Sequence, residues 1–266
     1  MKKTLLQGAL LAGLLLGGWI ILQQIPWTGI LQINRNKALL EKILGDMYWD
    51  SVYRSEEGME DPFVYQTVDS LLTTICLSNV IEREAIKLHI VNNSAVNAFA
   101  LPDKHMVIHS ALIQSANNET ELSGVIAHEL AHIEMDHVMQ KLIKEIGYLI
   151  LLPGSISGEM ISESVRTFSS TAYSRKIERE ADLRAVDYLA NAEIPSDGLA
   201  DFLENKNTSM KAGPHFTWWS THPPTEARIE YIREYSSNNI ENEYNPILHE
   251  ETWKKLQQRI NFEKIY

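Results

Sequence analysis

Hydrophobic and polar positions follow two different periods in the first half of the chain. Apolar residues recur at helical spacing over Lys37–Val52 and again over Phe63–Leu77, with polar residues on the opposite faces. Two shorter runs, Ile86–Val91 and His105–His109, alternate in the way that strands do. This part of the chain is therefore predicted to combine helices with a small β-sheet.

The second half is predicted to be mainly helical. A long amphipathic helix is expected to begin at Glu119, because the asparagine before it, Asn118, is a favoured N-cap residue. The apolar stripe of this helix consists of Leu122, Val125, Ile126, Leu130 and Ile133. Further helices are predicted over Thr171–Asn191, Ser196–Glu204, Pro224–Tyr235 and Glu250–Ile260. The fold class that these patterns indicate is α+β and predominantly helical.

The N-terminal segment carries no charge from Thr4 to Asn34 and follows the basic residues Lys2 and Lys3. Its apolar run, Leu5–Ile25, would be roughly 30 Å long as a helix at about 1.5 Å per residue, which is enough to cross a hydrocarbon layer. No small-residue cleavage pattern follows this run. We expect residues 1–27 to be a signal anchor that places the rest of the chain on the non-cytoplasmic side. A cleaved signal peptide and a buried helix are the alternatives.

The overall charge argues against one class of partner. The chain has 24 Lys and Arg against 35 Asp and Glu, and its net charge of -11 would repel a phosphate backbone. Nucleic acid is therefore not an expected partner. The single cysteine, Cys76, cannot form an internal disulfide and lies in an apolar helical stretch, so it is expected in the core.

An H-E-x-x-H motif lies within the predicted long helix, at His128, Glu129 and His132. Residues four apart share one face of a helix, so the two histidines can bind a single metal ion. Imidazole nitrogens suit zinc. The glutamate between them is turned about 100° around the helix and can reach a metal-bound water without ligating the ion. The alternative is a pair of surface histidines on an amphipathic helix.

A catalytic zinc site normally has three protein ligands, so a third ligand must come from elsewhere in the chain. His137 follows His132 by five residues, roughly 140° away on a continuous helix, which makes it a surface or second-layer residue. Glu178 and Asp182 lie four apart in a later predicted helix. One of the two carboxylates can bind zinc while the other accepts a hydrogen bond from a ligating histidine. The alternative for this helix is a solvated face with Glu–Arg pairs.

Four segments of the chain form a pattern, in the order Asn97–Pro102, Val125–His137, Ser174–Asp182, and Ser220–Pro224 with Arg228. This pattern resembles a family of membrane-associated zinc metallopeptidases, the gluzincins that include the CaaX prenyl proteases, the HtpX-type bacterial proteases and the OMA-type mitochondrial proteases. Together the four segments span roughly half of the chain, which makes coincidence a poor explanation. The resemblance implies a zincin-like domain with a small edge β-sheet and an active-site helix.

The resemblance also implies a role for each motif residue. His128, His132 and Glu178 would be the ligands of one zinc ion per chain, Glu129 the catalytic base, and Asp182 the residue that orients a ligand histidine. His222 and Arg228 would act in the active site, in contact with the substrate or the oxyanion. Without the resemblance, His222 would be read as a surface loop histidine.

A substrate-binding role is expected for Asn97 and Ala98, as part of an exposed strand edge that pairs with an extended peptide. The alternative for these two residues is a plain turn. The expected activity is hydrolysis of internal peptide bonds, in which zinc acidifies water and polarises the carbonyl while Glu129 transfers the proton. The substrates would be proteins or peptides, including misfolded envelope proteins.

The expected domain organisation follows from these assignments. Residues 28–236 would form the zinc metalloprotease domain and residues 237–266 a C-terminal helical tail. The membrane would be contacted through the N-terminal segment, or the chain would be exported and soluble after cleavage. Two rival functions remain open: a zinc hydrolase of a non-peptide bond, and a catalytically weak, zinc-bound protein that holds clients or stays latent.

Overall fold

The computed structural model describes residues 7, 33–55, 57–150, 167, 171–209, 217–238, 244 and 246–262. The predicted N-terminal anchor, residues 1–27, lies outside this part of the chain except for residue 7. None of the described helices combines the length and the apolar character that crossing a membrane requires. Two compact units divide the chain, Met1–Leu40 and Glu41–Tyr266. The elements that build the site all belong to the second unit.

Helices α1 and α2 occupy the regions where helical periodicity was found. Helix α1 covers Ile33–Ser55 and helix α2 covers Pro62–Ser78. Asp61 caps α2, because its Oδ1 accepts a hydrogen bond from the backbone N–H of Phe63 at 2.8 Å. Proline follows at the first helical position, where its missing N–H leaves no helical hydrogen bond unmade. The inward face of α2 is apolar and buried, and Cys76 lies on it, as predicted.

A four-stranded sheet is formed by one short strand between α1 and α2 and three strands that follow α2 in the chain. Its strands are β1 (Glu57–Gly58), β2 (Lys87–Asn92), β3 (Ala98–Leu101) and β4 (His105–His109), in the order β1-β2-β4-β3. Strand β4 pairs in parallel with β2 and antiparallel with β3. Strand β3 is therefore an edge strand, and it leads into a tight turn in which Asp103 and Lys104 both adopt positive φ.

The H-E-x-x-H helix forms the centre of the unit. Helix α3 (Ser110–Ser115) precedes it, and the helix itself, α4, covers Glu119–Glu134. Its predicted cap is confirmed, because Asn118 Oδ1 accepts from the backbone N–H of Glu121 at 2.9 Å. Nearly every residue of α4 is buried, which shows that the helix is enclosed on all sides rather than along a single stripe.

The remaining helices pack around α4 or follow it in the chain. They are α5 (His137–Ile150), α6 (Arg175–Asn191), α7 (Gly198–Ser209), α8 (Trp218–Thr221), α9 (Glu226–Ser236) and α10 (Glu250–Phe262). Helices α6 and α7 make the most extensive contacts with α4. Helix α10 packs against α2 and α3. The architecture is α+β and mainly helical, as predicted.

Two helix starts differ from the sequence-based prediction for the same local reason. Helix α6 begins at Arg175 rather than Thr171, because Ser174 is its cap and accepts from the backbone N–H of Ile177. Helix α9 begins at Glu226, two residues after Pro224, because Thr225 caps it in the same way. Side-chain oxygens that satisfy the first free N–H groups therefore set both boundaries.

Candidate metal centre

The two histidines of the motif project from one face of α4 into a buried space. His128 and His132 have no exposed surface, and their Nε2 atoms lie 3.1 Å apart. Burial lowers the pKa of His132 well below its usual range, although a hydrogen bond with Glu178 opposes this effect. The neutral imidazole that results is the form that binds a metal ion.

Glu178 reaches the same space from α6. Its Oε1 lies 3.5 Å from His132 Nε2, and its Oε2 lies 3.8 Å from His128 Nε2. Burial by itself would raise the pKa of this carboxyl, but its electrostatic interactions with His222 and Arg228 hold the pKa well below its usual range. The carboxylate is therefore ionised at neutral pH and can act as an oxygen ligand of a metal ion.

His222 completes the cluster from the loop that follows α8. Its Nδ1 lies 2.9 Å from Glu178 Oε1 and 3.1 Å from His128 Nε2, and the residue is buried. Four potential ligand atoms thus lie within 4.8 Å of one another. The sequence predicted an active-site role for His222 but did not indicate that its ring would lie among the ligand atoms. A loop histidine has no periodic pattern that would predict its direction.

The donor set fits a zinc ion. Ligand atoms bound tetrahedrally at about 2.0–2.1 Å lie about 3.4 Å from one another, and the cluster has separations of 2.9, 3.1 and 3.5 Å. Imidazole nitrogen with carboxylate oxygen is also a donor combination that zinc prefers. The residues present are therefore chemically and geometrically able to hold the ion.

Asp182 lies directly behind His128. Its Oδ1 is 3.0 Å from His128 Nδ1, the ring nitrogen that faces away from the cluster. Burial would raise the pKa of Asp182, but Arg228 and the contact with His128 lower it to about 2. Tyr231 also donates its hydroxyl to Asp182 Oδ2. The carboxylate is therefore charged and held from three directions.

Arg228 joins the two carboxylates. Its Nε and Nη2 donate to the two oxygens of Asp182 at 2.8 and 2.7 Å, and its Nη1 lies 2.9 Å from Glu178 Oε2. The guanidinium is buried, and these two anions compensate its charge. The residue thus lies in the active-site region that the resemblance implied, on the carboxylate side of the cluster.

Glu129 lies beside the cluster and makes contacts of its own. Trp218, at the start of α8, donates its indole Nε1–H to Glu129 Oε1 at 2.9 Å, and His222 Nε2 lies 3.4 Å from the same oxygen. Trp218 also donates its backbone N–H to the carbonyl of Val96, just before β3. The tryptophan was not identified from the sequence, because a Trp-Trp pair in an apolar turn resembles ordinary core.

His137 is also part of this region. It is buried, and its Nδ1 lies 3.2 Å from His132 Nδ1. Burial lowers its pKa, while the carboxylate of Glu180 opposes the shift. The sequence-based prediction assumed that one continuous helix carries His132 and His137, and this assumption was wrong. Helix α4 ends at Glu134, and a new helix begins at His137. His137 was predicted to lie either at the surface or in a second layer around the metal ligands, and the structure shows the second position, next to His132.

The expected substrate edge needs a correction. Strand β3 is an edge strand, but its four residues are buried, and Ala98 has no exposed surface. Asn97 is also buried, and its carbonyl accepts from the backbone N–H of His109 at 3.0 Å. Asn97 and Ala98 were predicted to be exposed at this edge, and both are buried, because sequence alternation does not show what packs over a strand. Their role in substrate binding stays a prediction.

An H-E-x-x-H helix with a glutamate supplied by a later helix is the arrangement that defines the gluzincin class of metallopeptidases. Within this class, the chain belongs to Peptidase family M48, whose sequence profile matches residues 65–236. The predicted family is therefore confirmed.

Several members of the family are similar to the chain over most of its length. The beta-barrel assembly-enhancing protease of Yersinia pestis is 24% identical over 211 residues, which are 73% of this chain and 43% of that protein. The mitochondrial metalloendopeptidase OMA1 of Schizosaccharomyces pombe is 25% identical over 201 residues, 70% of this chain and 59% of that protein. The metalloprotease YcaL of Escherichia coli is 25% identical over 169 residues, 59% of this chain and 65% of that protein. The chain thus spans less than two thirds of each of these relatives.

Proposed function

We propose that the protein is a zinc-dependent endopeptidase that hydrolyses internal peptide bonds. One observation carries the proposal: His128, His132 and Glu178 converge in a buried space with Glu129 directly beside them. These three residues would hold one zinc ion per chain. The family to which the chain belongs supports the same reaction class.

When bound, zinc would supply Lewis acidity that polarises the scissile carbonyl and acidifies water. Glu129 would accept the proton at its carboxylate and later donate it to the leaving amine. Trp218 would hold that carboxylate in place through its indole N–H. Asp182 would accept the Nδ1–H of His128 and thereby leave Nε2 unprotonated towards the cluster. Arg228 would keep both carboxylates ionised.

The substrate would pair with the outer side of β3, which no other strand of the described sheet occupies. Because Asn97 and His109 form a hydrogen-bonded pair, the backbone groups of Ala98 and Ala100 are directed away from β4, towards this outer side. An extended peptide could pair with these groups. The buried Oδ1 of Asn97 has no hydrogen-bond partner among the described residues, so it is available to accept from a substrate amide.

Peptide cleavage and zinc content test the proposal together. The purified chain should contain one zinc ion and cleave a library of internally quenched peptides. Glu129→Gln should keep the zinc and lose about 10²- to 10⁴-fold in rate, since only the proton-transfer group is changed. Glu178→Ala should lose the metal, because a third ligand disappears. Glu134→Gln, a carboxylate change at the end of the same helix, is the matched control and should behave like the parent.

Some outcomes would reject parts of this assignment. If Glu129→Gln cleaved peptides at the parental rate, another residue would be the base. Full zinc occupancy in Glu178→Ala would move the third ligand elsewhere. Cleavage of esters or other non-peptide bonds, with no cleavage of any peptide, would favour the rival hydrolase.

A second candidate function, a latent form of the peptidase, is favoured by two observations. His222 occupies a fourth position of the cluster, whereas a catalytic zinc site keeps one position open for water or substrate. Strand β3, which would receive the peptide, is buried. In a latent protein, both would have to be uncovered before a substrate could bind.

Replacement of His222 separates latency from a direct role in catalysis. If His222 closes the site, His222→Ala should cleave peptides faster than the parent and retain zinc through the other three ligands. His222→Ala combined with Glu129→Gln should then be inactive. A loss of activity in His222→Ala would instead support the contact with the oxyanion that the sequence led us to expect.

The place of action is proposed from the N-terminal segment and the names of the relatives. One relative is described as enhancing β-barrel assembly and another as mitochondrial, which supports a role in envelope or membrane protein quality control. Residues 1–27 would anchor the chain, with residues 28–236 as the protease domain and residues 237–266 as a tail. The chain should then resist alkaline extraction from membranes. A mature N-terminus beyond residue 27 would refute the anchor, and activity of a fused reporter confined to the cytoplasm would refute export.

A further inference from the structure

The chain breaks its helix directly after the metal motif, and the break returns His137 to the ligand cluster. Helix α4 ends at Glu134, and Asp136 adopts a left-handed conformation with a φ of 58°. The carbonyl of Asp136 then accepts from the backbone N–H of Gln140, so that a new helix starts at His137. On a continuous helix, His137 would point roughly 140° away from His132. The break instead brings their Nδ1 atoms to 3.2 Å.

The direction of His132 determines which of its nitrogens is free to bond with His137. Its Nε2 faces the cluster, 3.1 Å from His128 Nε2 and 3.5 Å from Glu178 Oε1. A neutral imidazole that presents the lone pair of Nε2 to a metal carries its proton on Nδ1. That N–H faces His137 Nδ1, which can accept it only if the proton of His137 is on Nε2.

Glu180 is placed to select this tautomer of His137. Its Oε2 lies 3.5 Å from His137 Nε2, on the side away from His132. A carboxylate accepts and cannot donate when ionised, so it favours the tautomer of His137 that carries its proton on Nε2. Glu180, His137 and His132 therefore form a line. Glu180 favours the tautomer of His137 that is protonated on Nε2, and the unprotonated Nδ1 of His137 can then accept the Nδ1–H of His132.

The two motif histidines are thus supported in different ways. His128 meets a carboxylate directly, with Asp182 Oδ1 at 3.0 Å from its Nδ1. His132 is connected to the carboxylate of Glu180 through the imidazole of His137. In both cases, a group that can accept lies close to the ring nitrogen that faces away from the cluster, at 3.0 Å for His128 and 3.2 Å for His132, and ligating histidines are usually oriented by such groups.

We propose that His137 is a positioning residue, itself oriented by Glu180, that fixes the ring and the tautomer of His132 for metal binding. The inference rests on the proposed zinc site. It adds a residue whose replacement weakens zinc binding even though it does not touch the ion.

Zinc affinity, measured by competition with a chelator, tests the proposal without relying on catalysis. His137→Phe fills the buried space but removes the acceptor, and it should weaken zinc binding by about 10- to 100-fold, as loss of such a partner usually does. His137→Asn places an amide oxygen near the position of Nδ1, and it should retain most of the parental affinity. If His137 had only a structural role, His137→Asn would not bind zinc more tightly than His137→Phe.

Changes on α6 provide the matched controls. Glu180→Gln keeps the shape but loses the charge that selects the tautomer, and it should weaken zinc binding several-fold. Lys176→Met removes the partner of Glu180 on the same helix, 3.7 Å away and outside the line, and it should bind zinc like the parent. Thermal unfolding of the metal-free proteins identifies any variant that does not fold. If His137→Phe does not fold, the zinc affinities of His137→Asn and Glu180→Gln test the proposal instead.

The inference and the proposed function can fail separately. A parent that binds no zinc would overturn the proposed function and the inference together. A parent that binds zinc, with parental affinity also in His137→Phe, would overturn the inference alone, and so would equal losses in His137→Phe and His137→Asn. Nitrogen-15 spectra of the zinc-loaded parent provide a direct check, since a proton on His137 Nδ1 would contradict the proposed tautomer.

Discussion

Ionised side chains at the candidate metal centre are buried as mutually compensating groups. Asp182 accepts from Arg228 and Tyr231 and also contacts His128, while Arg228 extends to Glu178. Removal of one member of such a group leaves another charge buried without its partner, which typically costs about 3–5 kcal/mol. Replacement of a single member of the cluster is therefore expected to destabilise the fold as well as to disturb the orientation of the ligands.

The residue Asp182 allows a direct test of this double role. Asp182→Asn keeps an oxygen acceptor but removes the charge opposite Arg228, so we expect lower stability to urea and a loss of about 10- to 100-fold in zinc affinity. Asp187→Asn lies on the same helix, but its partners Arg184 and Tyr235 are partly exposed, so it should change stability by no more than about 1 kcal/mol. Unchanged zinc affinity in Asp182→Asn would show that the contact with His128 does not orient the ring.

The indole of Trp218 is expected to act on the rate rather than on binding. Trp218→Phe removes the hydrogen bond to Glu129 but keeps an aromatic ring against His128 and Phe202. A hydrogen bond to a charged group contributes about 1.5–3 kcal/mol, so kcat should fall about 10- to 100-fold, with KM and zinc content unchanged. Steady-state kinetics and metal analysis measure these quantities.

The neighbouring tryptophan is the control for this prediction. Trp219 is also buried, but the indole N–H that Glu129 accepts belongs to Trp218. Trp219→Phe should keep the parental kcat. If both variants lost kcat equally, a general packing effect would explain the loss, and the specific contact with Glu129 would lose its support.

At the scale of elements, the active-site helix is held by a very close crossing with α7. A Cβ atom on Gly124 of α4 would lie 2.4 Å from the backbone nitrogen of Leu199, and one on Gly198 would lie 2.3 Å from the carbonyl oxygen of Thr120. Both obstacles are backbone atoms, which cannot rotate away. The two glycines therefore set the distance between the helices.

The close crossing predicts that Gly124→Ala pushes the helices apart. Overpacking of this kind costs about 1–3 kcal/mol, and the shift should also disturb His128, one helical turn further along α4. We expect a lower free energy of unfolding in urea together with weaker zinc binding. Gly58→Ala is the matched control, because a Cβ at that position meets nothing within 4 Å. Equal stability of the two variants would mean that the crossing has room to adjust.

For the molecule as a whole, a second pair of histidines, outside the metal centre, is expected to influence stability at low pH. His89 and His105 lie on the paired strands β2 and β4, with His89 Nε2 2.9 Å from His105 Nδ1 and Trp49 stacked on His89. Burial, together with the charge of the partner His105, lowers the pKa of His89 to about 3. Burial and the charge of Lys87 lower the pKa of His105 to about 4. Both rings are therefore neutral in the folded protein at pH 5.

The sign of the resulting pH dependence follows from proton uptake. Between the unfolded pKa of about 6.5 and these lower values, the unfolded chain binds more protons than the folded one. The contribution of these two neutral histidines to stability is therefore fully present above the unfolded pKa and is lost as the pH falls towards the folded values. His89→Phe keeps the ring stacked on Trp49 but removes one such group, so its free energy of unfolding should fall less than that of the parent between pH 7 and pH 5.

Urea unfolding at the two pH values measures this difference. His249→Phe changes an exposed histidine and should lose as much stability on acidification as the parent. If His89→Phe showed the same loss as the parent, the buried pair would not contribute to the acid sensitivity of the protein.

Much of the architecture could be predicted from local patterns. Helix α2, the strands β2 and β4, and the capped start of α4 follow from periodicity and from single side chains such as Asn118. The family followed from four short motifs in order, and the match to Peptidase family M48 confirms it. Prediction failed where a boundary depended on a cap, as at Ser174, or where the residues of an edge strand are buried, as in β3.

The sequence by itself determined which residues could perform the chemistry, because the spacing in H-E-x-x-H places two histidines on one helical face whatever surrounds it. It also indicated that a third ligand must come from elsewhere in the chain, with the carboxylates of Glu178 and Asp182 as the candidates. Only the tertiary structure decided that the ring of His222 lies among the ligand atoms, that Trp218 bonds Glu129, and that His137 lies behind His132. These contacts join residues whose directions are set by helix breaks, loops and packing between distant segments, and no local period encodes them.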